Sequence, residues 1–205
     1  VLDGTEGPRM MDNLTIDATG DILIQEDPGN NVHNAKVWQY TIATDSLKLL
    51  AQHDTTRFIA GGSRFLTQDE ESSGIIDVQS ILGPGMFLLV DQAHYPIAGA
   101  AVEGGQILTM FNPDSYNGML GAGPSSSQNP FLTPLEKGVN FSAIVTVPDA
   151  AGGARMAGIP DGTGAFDNND GTFTMLIGHE IATGLGIPRA HGQNGAFVSR
   201  WVIDK

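Results

Sequence analysis

The chain has 205 residues, enough for one sizeable core, and 23 acidic against 10 basic side chains give it a formal net charge of −13. Such a field excludes nucleic acid and anionic membrane surfaces as partners and favours divalent cations. The lack of cysteine excludes disulfides and zinc-thiolate sites, and no stretch approaches the roughly eighteen apolar residues of a membrane span. No leader peptide is read at Val1, which opens into an acidic turn; any such segment has been removed or lies elsewhere.

Only 16% of residues are charged, while Gly reaches 27 and Pro 11, a balance that suits short strands joined by tight turns. Period-two alternation predicts strands over Leu14–Asp17 and Asp21–Gln25, flanking a turn at Gly20. Lys36–Ile42 and Leu47–His53 read as a hairpin across residues 43–46. Further strands are expected at Gly74–Val78, Met86–Val90, Gln106–Phe111, Phe141–Val147, Thr172–Ile177 and Ala196–Ile203, with one short helix around Val78–Leu82. Residues 112–130 are rich in Gly, Ser, Asn and Pro without apolar periodicity, so they read as a linker dividing 1–111 from 131–205.

Two segments resemble each other. Ile16-Asp17-Ala18-Thr19-Gly20-Asp21-Ile22-Leu23-Ile24 and Phe166 to Ile177 both run from an apolar residue and Asp through a Gly turn into a strand ending in acidic residues. Asp and Asn close such turns on their own backbone and Gly supplies positive φ. A propeller blade commonly passes from its innermost strand to its second in this way, although a β-sandwich hairpin can look alike. The fold expected is therefore all-β, a β-propeller of antiparallel blades.

Acidic residues cluster at predicted strand ends: Glu26-Asp27 with Asn30-Asn31, Asp69-Glu70-Glu71, Asp161-Gly162, Asp167 to Gly171, and His179-Glu180. Calcium takes six to eight hard oxygens, which turns rich in Asp, Asn and Gly supply at close range. Three successive carboxylates at 69–71 repel one another and sit more comfortably around a cation than alone. The Asp167 to Gly171 turn has part of an EF-hand spacing but lacks the terminal Glu, and an ion-free solvated turn is the simpler reading there. His33 and His53 read as surface residues. His94, three residues after Asp91, and His179 lie at strand ends, and imidazole would admit a transition metal beside calcium. No nucleophile elbow, cysteine nucleophile or phosphate-cradling loop is present.

The stretches Gly158 to Thr174, Gly178-His179-Glu180 and Arg189 to Ser199 resemble the PhoX-type alkaline phosphatase family. So do Glu6 to Asn13, Gln25-Glu26-Asp27-Pro28-Gly29-Asn30, Thr67 to Gly74 and Asp91-Gln92-Ala93-His94. The resemblance implies an exported bacterial β-propeller, secreted or periplasmic, some members being calcium-dependent phosphomonoesterases that also use iron. In that family the segment like 131–205 lies near the start and the segment like 1–111 near the end, with a long middle between them. Here the end comes first and the middle is missing, so the chain reads as a partial or permuted propeller. The expected function is metal-dependent hydrolysis of a phosphorylated small molecule, by this chain or by a protein of which it is a fragment. The alternative is a non-enzymatic extracellular propeller fixed by calcium and used for adhesion or self-assembly. The candidate ligands are Glu26, Asp69, Glu70, Glu71, Asp161, His179 and Glu180, with Asp91, His94 and Asp167 second to them. Glu180 is expected to bind calcium directly, with His179 turned to a softer metal or a neighbouring acid, or else capping its strand through a backbone hydrogen bond.

Overall fold

The computed structural model describes residues 7–115 and 126–205, and they form fourteen strands with very little helix. Strands β1 (Met11–Ile16), β2 (Asp21–Glu26), β3 (Lys36–Thr41) and β4 (Ser46–His53) make an antiparallel meander, the first sheet. One turn of helix follows, α1 (Thr55–Phe58), capped by the Asp54 carboxylate, which accepts from the Thr56 N–H at 2.9 Å. Strand β5 (Glu70–Asp77), helix α2 (Gln79–Leu82), β6 (Met86–Ile97) and β7 (Val102–Phe111) begin the second sheet. Next, β8 (Leu132–Pro134) pairs with β4 and β9 (Asn140–Thr146) with β7. The lengths 1–111 and 131–205 therefore share two sheets. A small ribbon of β10 (Ala150–Ala151) and β11 (Ala154–Arg155) leads to the third sheet, β12 (Pro160–Asp167), β13 (Thr172–His179) and β14 (Phe197–Asp204), again antiparallel.

The sheets stack face on face with the second in the middle. In β6 successive side chains point to opposite faces, so Phe87 and Leu89 enter a core with Leu23, Val37 and Leu50 of the first sheet. Leu88 and Val90 enter another with Phe173, Met175 and Ile177 of the third. The unbroken apolar run Phe87-Leu88-Leu89-Val90 follows from burial on both sides. Each such side chain contributes about 1.5–3 kcal/mol.

The all-β expectation and its antiparallel pairing stand, and the short helix near residue 80 is present. The two similar segments occupy equivalent places, each joining the first strand of a sheet to the second: β1 to β2, and β12 to β13. In both turns Asp accepts backbone N–H bonds (Asp17 from Thr19 at 2.9 Å, Asp167 from Asn169 at 2.7 Å), and a Gly takes φ of 90° or 92°. Several boundaries differ from the sequence reading. β6 runs on to Ile97 instead of ending at Val90, so Asp91 and His94 lie inside a strand and not at its end, and β7 starts at Val102 instead of Gln106. β5 starts at Glu70 instead of Gly74, so both glutamates are strand residues, and Pro160–Asp167 is a strand where turns were expected. Pro160 begins β12, where its missing N–H removes no ladder bond.

Of the linker reading over 112–130, residues 116–125 lie outside the described residues. On its flanks, Asn112 is buried and donates to the Gln39 amide oxygen at 2.8 Å, and the Asn129 carbonyl accepts from Arg57 at 3.1 Å. Among the described residues no helix is long and apolar enough to cross a membrane.

Candidate metal centre

Strands β1, β5 and β12 are the first strands of their sheets, and each has a sheet partner on one side only. β5 packs against β1 and β2 on one flank and against β12 on the other. Close approach of β12 depends on Gly74, whose φ is 55° and where a Cβ would lie 2.2 Å from the Asp161 carbonyl oxygen. The Gly74 carbonyl accepts a hydrogen bond from the Thr163 hydroxyl. Backbone approach at this distance requires a residue without a side chain.

Three carboxylates meet as a result. Asp12 of β1, Glu71 of β5 and Asp161 of β12 each place an oxygen within 4.8 Å of the other two. Two more lie against them: Asp27, just after β2, shares a hydrogen bond with Glu71, and Glu180, just after β13, shares one with Asp161. Neutral donors hold the group in place. The Gln92 amide donates to Glu71 Oε1 at 2.6 Å. The Ser73 hydroxyl donates to Asp161 Oδ1 at 2.5 Å and accepts from the Asn13 amide at 3.1 Å.

Like charges at this spacing cannot all ionise. Burial and the neighbouring Asp161 and Asp27 raise Asp12, against an opposing hydrogen bond from Asn13. Burial, then Asp27 and Asp161, push Glu71 up to about 9. Glu180 is raised by burial and by Asp161 and Asp12, with the Gln92 amide opposing. A cation would do what protons do in its absence, relieving the repulsion while leaving every oxygen free to coordinate. The donors are carboxylates with an amide and a hydroxyl nearby, a hard-oxygen set that fits calcium better than a soft metal.

The other candidates divide between a second centre and isolated positions. Glu70 faces away from Glu71 and Asp91 lies on its side of β5–β6; both approach His53, which is fully buried and not at the surface as the sequence suggested. Its Nε2 is 2.7 Å from Asp91 Oδ2 and its Nδ1 3.0 Å from the Ala35 carbonyl oxygen, so both ring nitrogens face acceptors and the imidazolium form fits. Burial alone would lower this histidine, but Asp91 and Glu70 outweigh it and hold it at about 9. Burial raises Asp91 against the pull of His53, and lifts Glu70 to about 7. Glu70 Oε1 accepts from the Ala35 N–H at 3.1 Å.

Glu26 is buried, with Oε1 accepting from the Arg9 N–H and the Trp38 indole and Oε2 2.7 Å from His33. Asp69 is half-buried just before β5, its carbonyl accepting from the His94 N–H at 2.9 Å. His94 Nδ1 is 2.6 Å from Glu103. His179 is buried, its Nδ1 donating to the Gly158 carbonyl at 2.9 Å and its Nε2 facing the Ser199 hydroxyl at 2.8 Å. Burial comes first in lowering its pKa, and a neutral ring fits the two contacts, Nδ1–H on the carbonyl and Nε2 at the hydroxyl. Asp167 is half-buried and pairs with Lys205.

Of the predicted ligands, then, Glu71, Asp161 and Glu180 come together. Asp12 and Asp27 were missed as ligands, although both stand in stretches that carry the family resemblance; the available signal was Asp12-Asn13, a polar pair inside an otherwise strand-like run. No protein-family model, no curated protein and no solved structure matches this chain.

Proposed function

We infer that the chain binds a divalent cation, calcium before others, at Asp12, Glu71 and Asp161 with Glu180 and Asp27 beside them, as part of an exported β-propeller hydrolysing phosphomonoesters. The observation that carries this reading is the meeting of one carboxylate from the first strand of each of three sheets. Innermost strands converge in this manner on a propeller's central channel, where sites gather. The resemblance to PhoX-type phosphatases supplies the substrate class, a phosphorylated small molecule. Calcium bound there would neutralise and orient a phosphoryl group. The chain's own part is to aim the ligands: Gln92 fixes Glu71, and Ser73 with Asn13 fixes Asp161. Iron, which the resemblance adds, finds less support, since His179 has both nitrogens engaged and His94 Nδ1 is held by Glu103.

Hydrolysis of p-nitrophenyl phosphate with calcium and with chelator tests the reading. Calcium-dependent turnover that Asp161→Asn abolishes supports it. A second reading is favoured by the same ligands coming from three different sheets: an ion there ties the sheets together, as in a calcium-stabilised extracellular propeller without enzymatic activity. Calcium-dependent melting with no turnover would select that alternative, and no calcium response in either assay would remove both.

A further inference from the structure

Each of the three sheets is opened by a residue whose carbonyl accepts a backbone N–H from the second strand: Met10 from Asp27, Asp69 from His94 and Ile159 from Glu180, each at 2.9 Å. One step further in, Met11 pairs with Glu26, Glu70 with Ala93 and Pro160 with His179. Register thus superimposes the sheets residue by residue, with Asp12, Glu71 and Asp161 at one level.

The first and third sheets share more. Met10 and Ile159 are left-handed, with φ of 49° and 51°, and Asp69 is not. Asp45 and Asn169 take positive φ in turns, as their types tolerate. A Met or a β-branched Ile at the head of a strand does so only where its surroundings hold it there. In both sheets a buried side chain does the holding. Glu26 accepts the Arg9 N–H at 2.8 Å, and His179 donates to the Gly158 carbonyl at 2.9 Å, so each grips the residue just before the left-handed one. The second sheet has Ala93 at this level, which can grip nothing. The aspartates follow. Met11 to Leu14 is three steps against two from Glu26 to Ile24, and Pro160 to Thr163 is three against two from His179 to Ile177. Asp12 and Asp161 sit in these bulges, which re-aim side chains. In β5 the ladder is regular from Glu70 to Ser73, and Glu71 faces the centre by plain alternation.

We propose that Glu26 and His179 are positioning residues and not ligands. Each clamps the head of its strand, holds Met10 or Ile159 left-handed, and thereby aims Asp12 with Asp27, and Asp161 with Glu180, at the cation. The proposal rests on the calcium reading of the acidic centre. Both oxygens of Glu26 are engaged, Oε1 by the Arg9 N–H and the Trp38 indole and Oε2 by His33, so its charge is answered without an ion. Both nitrogens of His179 are engaged as well. The clamp fixes the backbone on either side of the acids, which is how groups behind a metal's ligands set their direction.

Calorimetric titration of calcium into the chelator-stripped 205-residue protein tests this, with circular dichroism to check the fold. Glu26→Gln keeps an acceptor oxygen and loses the charge, and Met10→Gly adopts φ of 49° freely; both should bind calcium as the parent does. Met10→Pro, with φ fixed at about −65°, should weaken binding about 10–100-fold, the usual loss when the support behind a ligand goes. Pro is tolerated at the head of an edge strand such as β1. Should that variant not fold, Glu26→Ala removes the grip instead and should weaken binding in the same range. If Glu26→Gln loses calcium as Glu26→Ala does, Glu26 is a ligand and the proposal is overturned. Parental affinity in folded Met10→Pro overturns it too. Either outcome sinks the clamp and spares the centre, whereas a parent that takes up no calcium sinks the reading of the centre and the clamp with it.

Discussion

Glu70 and Glu71 are adjacent in β5, nearly equally buried, and face opposite ways. Glu70 points to the side of the first sheet, where His53 and Asp91 wait; the chain itself supplies the positive charge, and the group is close to neutral as a set. Glu71 points to the side of the third sheet and meets Asp12, Asp27 and Asp161, with hydrogen-bond donors but no opposing charge among the forces that shift it. The same residue type in the same strand thus serves two ends. A buried carboxylate answered by an imidazolium is a fixture of the fold, and one answered only by other carboxylates is a request for something from outside.

The largest effect should come from the self-answered centre. Asp91→Ala removes the main group that keeps the proton on buried His53, so the ring either loses its proton or carries an unanswered charge, and the change should cost about 3–5 kcal/mol in urea denaturation. A cost under about 1 kcal/mol would show that the pair is not an ion pair in the fold. The acidic centre should behave in the opposite way. At a hundredfold excess over its dissociation constant, calcium should stabilise the protein by about 2.7 kcal/mol. In chelator Glu71→Gln should melt no lower than the parent, and it should lose most of the calcium gain. If the variant gains as much from calcium as the parent, the ligand set is wrong. Gly74→Ala, which forces a Cβ against the Asp161 carbonyl and requires φ of 55° of an alanine, should lose the calcium response with Glu71 itself intact.

The pH dependence sharpens the contrast further. Glu71, raised to about 9 in the fold from an unfolded value of about 4.3, binds its proton more tightly when folded, so without a cation stability falls as pH rises through that window. His53 is also raised, to about 9; its contribution is whole below about 6.5 and is lost as pH climbs to about 9. Both slopes run the same way in chelator. Calcium should flatten only the part owed to Glu71, and melting curves between pH 6 and 9 with and without calcium would separate the two. The smallest effect belongs to Asp167→Asn. That side chain is half-buried, apart from the acidic centre, and serves its own turn and Lys205, so the calcium response should be unchanged; a lost response would move the site.

Much of the fold was legible from the chain alone, because alternation, apolar runs and Asp–Gly turns are local. The run at 86–90 reads as a strand, though its burial on both faces came only with the stacking of the sheets, and the twin turns at 17–20 and 168–171 mark equivalent hairpins. What alternation cannot say is what stands opposite each face. Because the strand was read as starting at Gly74, it gave Glu70 and Glu71 no directions at all and left them in one acidic cluster. It left His53 looking like a surface residue, because its partner Asp91 lies 38 residues away. Asp161 is tied to Ser73 across 88 residues, and Asp12 joins them from a third sheet. Composition and local pattern determined an acidic, all-β chain suited to hard cations. Which carboxylates converge and which are neutralised at home was decided by the stacking of the sheets, since electrostatic partnership depends on distance in space and the sequence records only distance along the chain.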